Sequence, residues 1–356
     1  MNCSTPCNRR DFLKTSTLSG LAALAATRFP GAFGADSEMA SKSTRVALTA
    51  GDDRANNVYR GLKSFEKEIR QAIGNRRIVI KPNNVSIDVQ LAATHADALE
   101  GILEFLKSIG KLENAVIAES AATGPTFNGF ENFRYTRLGD KYSVKLLDLD
   151  QEPFDLVHIF DEKDFRPHAA RMSRLLLDPN SFIISAAKMK THDRVIATLS
   201  LKNIIVGAPI KDPGFRWGSG GKAGAKTDKP ITHGSGFRGI NYNLFALAPR
   251  LHPHLAVIDG YDGMQGNGPV GGTAVDHRVA VVGLDWLAAD RVAVELMGID
   301  FAKIGYLNYC AGASLGEADL NKIEIVGEPI AKHVKPYKLH DRVEQQLIWM
   351  KPVQAG

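Results

Sequence analysis

The chain has 356 residues, 44% of them hydrophobic and 23% charged, proportions that exclude a disordered chain, a collagen repeat or a coiled-coil array. That length suits one large domain or two smaller ones, and three cysteines cannot supply a disulfide framework. A net charge of +5 would suit nucleic acid or another acidic partner, but the position of that charge decides the matter.

Residues 1–35 carry much of it. Asn8-Arg9-Arg10-Asp11-Phe12-Leu13-Lys14 resembles a twin-arginine export signal, in which a polar residue precedes two arginines, any residue, and Phe-Leu-Lys. The weakly apolar stretch Thr17 to Ala26 has roughly half the ~20 residues a spanning helix needs, so it provides no permanent membrane span. Ala32, Gly34 and Ala35 offer cleavage points. This signal implies the twin-arginine translocation machinery as a partner and a periplasmic or otherwise exported location. Its pathway carries folded proteins, so a metal or organic cofactor would be loaded before export. Removing four basic residues and one acidic residue leaves a mature chain of net charge +2. Cys3 and Cys7 leave as well, and Cys310 alone cannot hold an iron–sulfur cluster on thiolates or a cysteine zinc site.

Strand-like and helix-like segments then alternate. Arg45–Ala50 reads as a strand and Val58–Ile73 as a helix. Arg77–Lys81 is a buried strand stopped by Pro82. Thr94 is placed to cap a helix running to Ile109, with Asp97 in capping-box position and Gly110 closing it. Ala115–Ala118 is a strand, Phe127–Leu138 a helix, Val144–Leu149 a strand, Ala169–Leu177 a helix and Phe182–Ala186 a strand. Thr198–Gly207 and Ile240–Leu251 read as helices, Leu255–Ile258 and Val279–Val282 as strands. A helix from Asp285, its N-cap, to Met297 precedes a last strand, Lys322–Val326. The pattern predicts an α/β fold: a mainly parallel or mixed sheet, helices on both faces and glycine-rich insertion loops. A single domain over 36–330 is expected, with any division into two lobes near 150–180, followed by a tail over 331–356. In that tail, Asp341–Met350 could dock on a partner or on the chain's own body.

Ligands of such sheets lie beyond the carboxyl ends of the strands. Those ends carry Lys81, Asn83, Glu119, Lys188, Lys190, His192 and Asp259, with His95 opening the following helix. They are expected to share one pocket. Glycines crowd nearby, nine in 207–239 and six in 260–272. Residues 188–238 hold ten basic and three acidic residues, a local charge of +7. This segregation points to a small anionic ligand, and export together with the lack of interleaved aromatics argues against nucleic acid. Lys202-Asn203 is a polar pair inside an apolar run, where a buried ammonium needs a partner. Two motifs fail on context. Gly266–Gly271 matches GxGxxG, but Pro269 intervenes and a β-like run around His277–Val282 follows where a helix is required. Gly221-Lys222 lacks the remaining residues of a P-loop.

His192, His95 and Lys190 are therefore the candidate proton-transfer groups. Lys81, Asn83, Lys188, Lys202, Asn203 and Asn267 are the candidate anion-binding groups, and Glu119 and Asp259 the candidate metal ligands.

The stretches VIKPNN (79–84), ATHADALEGILEFL (93–106), SAAKMKTHDRVIATLSLKNIIVG (185–207), LAVIDGYDGMQGNGPVGG (255–272) and DWLAADRVAVELMGID (285–300), with DPN at 178–180, resemble the family known as domain of unknown function 362. The resemblance spans roughly 45–330. Some relatives carry ferredoxin-like cysteine motifs, which this chain lacks, so it implies no cluster here. In layout alone the arrangement is similar to nickel-pincer lactate racemases, and no residue is carried over from that likeness. Together these readings lead to the expectation of an exported enzyme acting on a small anionic substrate; the alternative is a non-catalytic periplasmic anion-binding or accessory protein.

Overall fold

The run Ile78-Val79-Ile80 is buried on both sides, which places its strand inside a sheet. In the computed structural model, which describes residues 44–352, the strands are β1 (Thr44–Ala50), β2 (Arg77–Lys81), β3 (Ala115–Glu119), β4 (Lys145–Asp148), β5 (Phe154–Asp161), β6 (Arg166–Ser173), β7 (Ser181–His192), β8 (Ile196–Thr198), β9 (Leu255–Gln265), β10 (Thr273–Gly283) and β11 (Ile323–Gly327). The helices are α1 (Arg54–Lys63), α2 (Glu66–Ile73), α3 (Ala96–Ser108), α4 (Thr126–Asn132), α5 (Tyr135–Tyr142), α6 (Arg174–Leu177), α7 (Ser200–Gly207), α8 (Lys229–His233), α9 (Phe237–Leu247), α10 (Trp286–Leu296), α11 (Gly305–Gly312) and α12 (Val343–Gln346). The export motif lies outside the described residues.

Nine strands form one sheet in the order β11-β1-β10-β9-β7-β2-β3-β4, with β8 also beside β7. Only β10 and β8 run antiparallel to their neighbours, so the carboxyl ends of β2, β3, β7 and β9 share one edge. Val58, Leu62, Leu99 and Ile102 of α1 and α3 cover the face of Ile78 and Ile80. Leu201, Ile204, Ile240, Leu244 and Leu287 of α7, α9 and α10 cover the face of Val79 and Ile183. The expected α/β architecture with helices on both faces is the observed one.

Several local expectations need correction. The helix expected over Val58–Ile73 breaks into α1 and α2 because Phe65, buried in the core, takes a non-helical conformation. Arg134, in the left-handed region, likewise separates α4 from α5. Most of the helix expected over Ala169–Leu177 is strand β6, paired antiparallel with β5, and only α6 remains helical. Buried Ala170 and Met172 flank the more exposed Arg171, the period of two of a strand paired with the distant β5. His95, not Thr94, caps α3: its Nδ1 accepts Asp97 N–H at 3.2 Å. Thr94 Oγ1 instead accepts Asn83 N–H (2.8 Å) and donates to Ala186 O (2.6 Å), tying the β2 exit to β7.

Two capping aspartates come from one helix region. Asp285 caps α10 by accepting Leu287 and Ala288 N–H, both at 3.0 Å. Asp290, inside α10, caps α7 from outside that helix, accepting Ser200 N–H at 2.8 Å and Leu201 N–H at 3.2 Å. Burial raises the Asp290 carboxyl to about 7. The tail straps onto the chain's own body. Gln346 donates to His192 O (3.0 Å) and accepts Ile196 N–H (2.6 Å), and Trp349 Nε1 donates to Lys303 O (3.0 Å).

Candidate functional site

Strand β2 ends on Lys81 and β3 on Glu119, neighbours in a parallel sheet, and both side chains are buried. Lys81 Nζ donates to both Glu119 oxygens, at 2.8 and 2.9 Å, and to Pro82 O at 3.0 Å. Glu119 also accepts Asn84 N–H (3.0 Å) and Ser120 N–H (2.8 Å). Asn203 of α7 joins this knot: its Oδ1 accepts Asn83 Nδ2 at 2.9 Å, and its Nδ2 donates to Lys81 O (3.2 Å) and Ser185 Oγ (3.0 Å). Gly207 is needed at the end of α7, since a Cβ there would sit 2.2 Å from Lys81 Cε. Both glutamate oxygens are therefore committed to hydrogen bonds, and none is left for a metal.

Above this brace opens a cavity of about 430 Å³ lined by Lys81, Asn83, Glu119, His192, Lys202 and Asn203 among the expected residues. Lys229, His233 and Trp217 line it too, with apolar wall from Val85, Val206, Pro230 and Pro269. The cavity lysines differ in how they are held. Lys229 Nζ donates to Pro209 O (2.7 Å) and Gly207 O (3.3 Å), and burial lowers its pKa to about 7. Among the described residues no hydrogen-bond or ion-pair partner reaches the amine of Lys202, a residue that is 4% exposed. Burial lowers it to about 7, and Asp193 offsets this only from a distance.

His192 and His233 face each other across the cavity wall, Nε2 to Nε2, at 3.3 Å. Arg194 N–H donates to His192 Nδ1 at 3.0 Å. A neutral His192 ring so placed carries its proton on Nε2, aimed at His233. Burial first and the Lys202 charge second push His192 well below the usual histidine range; burial likewise lowers His233. Burial alone would raise the Asp193 carboxyl, but His233, Lys202 and Arg194 together hold it low. His192, Asp193 and His233 bring one ligand-type atom each within 4.8 Å of one another.

The other expected residues lie elsewhere. Nearer the middle of β7, Lys188 pairs with Asp259 at 3.3 Å, and Arg54 reaches the same carboxylate at 3.3 Å. Arg54 also binds Asp262 and covers the Tyr261 ring at 4.6 Å. Asp259, flanked by two cations, is held low against its burial and is committed to them. His95 feels this cluster: burial, then Arg54, lower its pKa. Lys190 points at Ala92 O (2.5 Å) and Pro269 O (3.4 Å), and burial pushes it well below the usual lysine range. Asn267 is tied to the tail, donating to Asp341 Oδ2 at 2.8 Å and accepting Asp341 N–H at 3.1 Å. The expected single pocket is thus two separate clusters, with Lys190 and Asn267 in neither. The GxGxxG run forms the connection between β9 and β10. His233 and Asp193 escaped the sequence reading, although both lie in the basic, glycine-rich segment that reading had marked.

The family model described as domain of unknown function (DUF362) matches residues 78–295, more than half of the chain. The chain belongs to that family. The DUF362 segment contains every residue lining the cavity, whereas Arg54 of the second cluster lies before it. No curated protein matches the chain. No described helix is long and apolar enough to cross a membrane.

The Lys81–Glu119 pair yields a stability prediction. Glu119→Gln leaves the ammonium buried without its counter-charge and is expected to cost about 3–5 kcal/mol in urea unfolding. Adding Lys81→Met should recover much of that loss. A single-variant cost below about 1 kcal/mol would show that the pair does not brace the cavity floor.

Proposed function

We propose that this DUF362 protein is an exported enzyme acting on a small anionic substrate, a carboxylate on a short apolar body. The observation that carries the reading is the Lys202 amine, buried at the cavity and without a hydrogen-bond or ion-pair partner among the described residues. A buried ammonium is unfavourable alone and becomes favourable beside an anion, so an entering carboxylate draws a proton onto it. Apolar Val85, Val206, Pro230 and Pro269, with the Trp217 ring, would receive the rest of the molecule.

The imidazole wall favours chemistry over simple capture. The Lys202 charge is second only to burial in holding His192 low. Below about pH 7, where the free amine is charged, a carboxylate that neutralises this charge removes the second cause and lets His192 rise part of the way toward its usual range, where an imidazole exchanges protons effectively. Anion binding and readiness for proton transfer are thereby coupled through one electrostatic interaction. Non-catalytic anion capture is the second reading, since it needs Lys202 alone.

Butyrate, which stays ionised above pH 6, is the probe. Its affinity should fall roughly tenfold per unit as pH rises above about 7, because the free amine loses its proton there. Lys202→Met should weaken butyrate by roughly 10–100-fold at pH 6, the worth of a charge-assisted hydrogen bond. Binding that is flat with pH and equal in Lys202→Met would refute the assignment; inorganic phosphate binding more tightly than butyrate would redirect the substrate class.

Export rests on the Arg9-Arg10 motif. Changing both residues to lysine should leave the protein in the cytoplasmic fraction. Unchanged recovery outside the cytoplasm would remove the twin-arginine assignment.

A further inference from the structure

We propose that His192, Asp193 and His233 hold a divalent transition-metal ion whose open coordination faces the cavity. The two Nε2 atoms are 3.3 Å apart, close to the spacing of two ligands at about 2.0–2.1 Å on one tetrahedral ion. Asp193 Oδ1 lies 3.3 Å from His192 Nδ1 and 3.6 Å from His233 Nε2, and it is buried with no well-aligned hydrogen-bond partner among the described residues. Its other oxygen faces Arg342 at 3.7 Å and Arg194 at 3.9 Å, which leaves Oδ1 turned to the rings. A buried carboxylate oxygen beside two imidazoles is the arrangement a cation relieves.

The donor set selects the class of ion. Two imidazoles and one carboxylate suit zinc or iron(II), whereas magnesium and calcium prefer oxygen ligands. Three protein ligands leave at least one position open, as in catalytic and not structural sites. Because His192 and His233 line the cavity, that position opens toward the space beside Lys202. The inference rests on the proposed function in this respect only: the ion and the Lys202 ammonium would both face the substrate carboxylate. Loading moves the His192 proton from Nε2 to Nδ1, so the Arg194 N–H gives up its 3.0 Å bond. In the loaded protein the ion polarises the substrate or a bound water, in place of the ring proton.

The test uses the full chain, stripped with chelator and titrated with Co²⁺. One equivalent should bind with visible absorption, Zn²⁺ should displace it and Mg²⁺ should not. His233→Ala and Asp193→Asn, each verified as folded by circular-dichroism melting, should weaken Co²⁺ at least tenfold. His252→Ala should not; that ring belongs to another histidine pair, 5.5 Å from His254. Failure of the wild type to bind one equivalent, or equal binding by the His233 and Asp193 variants, overturns the inference. Butyrate titrated into the stripped protein keeps the two readings apart. Lys202-dependent butyrate binding without a cobalt site removes the metal alone, and a cobalt site without butyrate binding removes the proposed substrate alone.

Discussion

Glu119 organises the polar edge of this sheet. Its two oxygens take the Lys81 ammonium and two backbone N–H groups, from Asn84 and Ser120, so one side chain fixes the exits of β2 and β3 together. Asn203 then attaches α7 to the same knot. Because Lys202 precedes Asn203 on that helix, the brace also determines where the unpartnered amine stands. Asp290 completes the arrangement from the far end, capping the first turn of α7. The helix that presents Lys202 is thus held at its start by a carboxylate and along its length by an amide.

Among the described residues, six lysines are buried in and around this edge, Lys81, Lys188, Lys190, Lys202, Lys211 and Lys229, and their partners within those residues differ. Three are neutralised by carboxylates, Lys81 by Glu119, Lys188 by Asp259 and Lys211 by Asp150. Two are held by backbone carbonyls, Lys190 by Ala92 and Lys229 by Pro209. Lys202 has neither. The comparison within one protein matters, since the fold evidently supplies partners to buried ammonium groups when structure alone is at stake. The exception lies on a cavity wall beside two imidazoles.

Much of this was legible from the amino-acid order. RIVIK was read to its exact bounds, because a short apolar run stopped by proline leaves few alternatives. Lys202-Asn203 stood out as a polar pair in an apolar run. Strand β7 was read too short, because Lys188 and Lys190 look like a loop when their partners, Asp259 and the Ala92 carbonyl, are far along the chain. Strand β6 was read as helix for the same reason: its pairing with β5 is not local information. Sequence order also could not divide the strand-end residues between two clusters. Lys81 shares its face with Val79 and Lys188 with Ala186, but parity alone does not make the division, since His192 has the parity of Lys188 and Glu119 that of Ile117, and both line the cavity. His233 carried no periodic signal, and only folding the glycine-rich segment back over the sheet brings it to His192.

The central claim is that Lys202 waits as a near-neutral buried amine and becomes an ammonium when an anion enters. Titration calorimetry of butyrate in two buffers of different ionisation enthalpy measures this directly, as protons exchanged per ligand bound. At pH 8.5 uptake of about one proton per butyrate is expected, falling at pH 6, where the amine is already charged and only His192 can still gain a proton. Binding without proton uptake at either pH would contradict it.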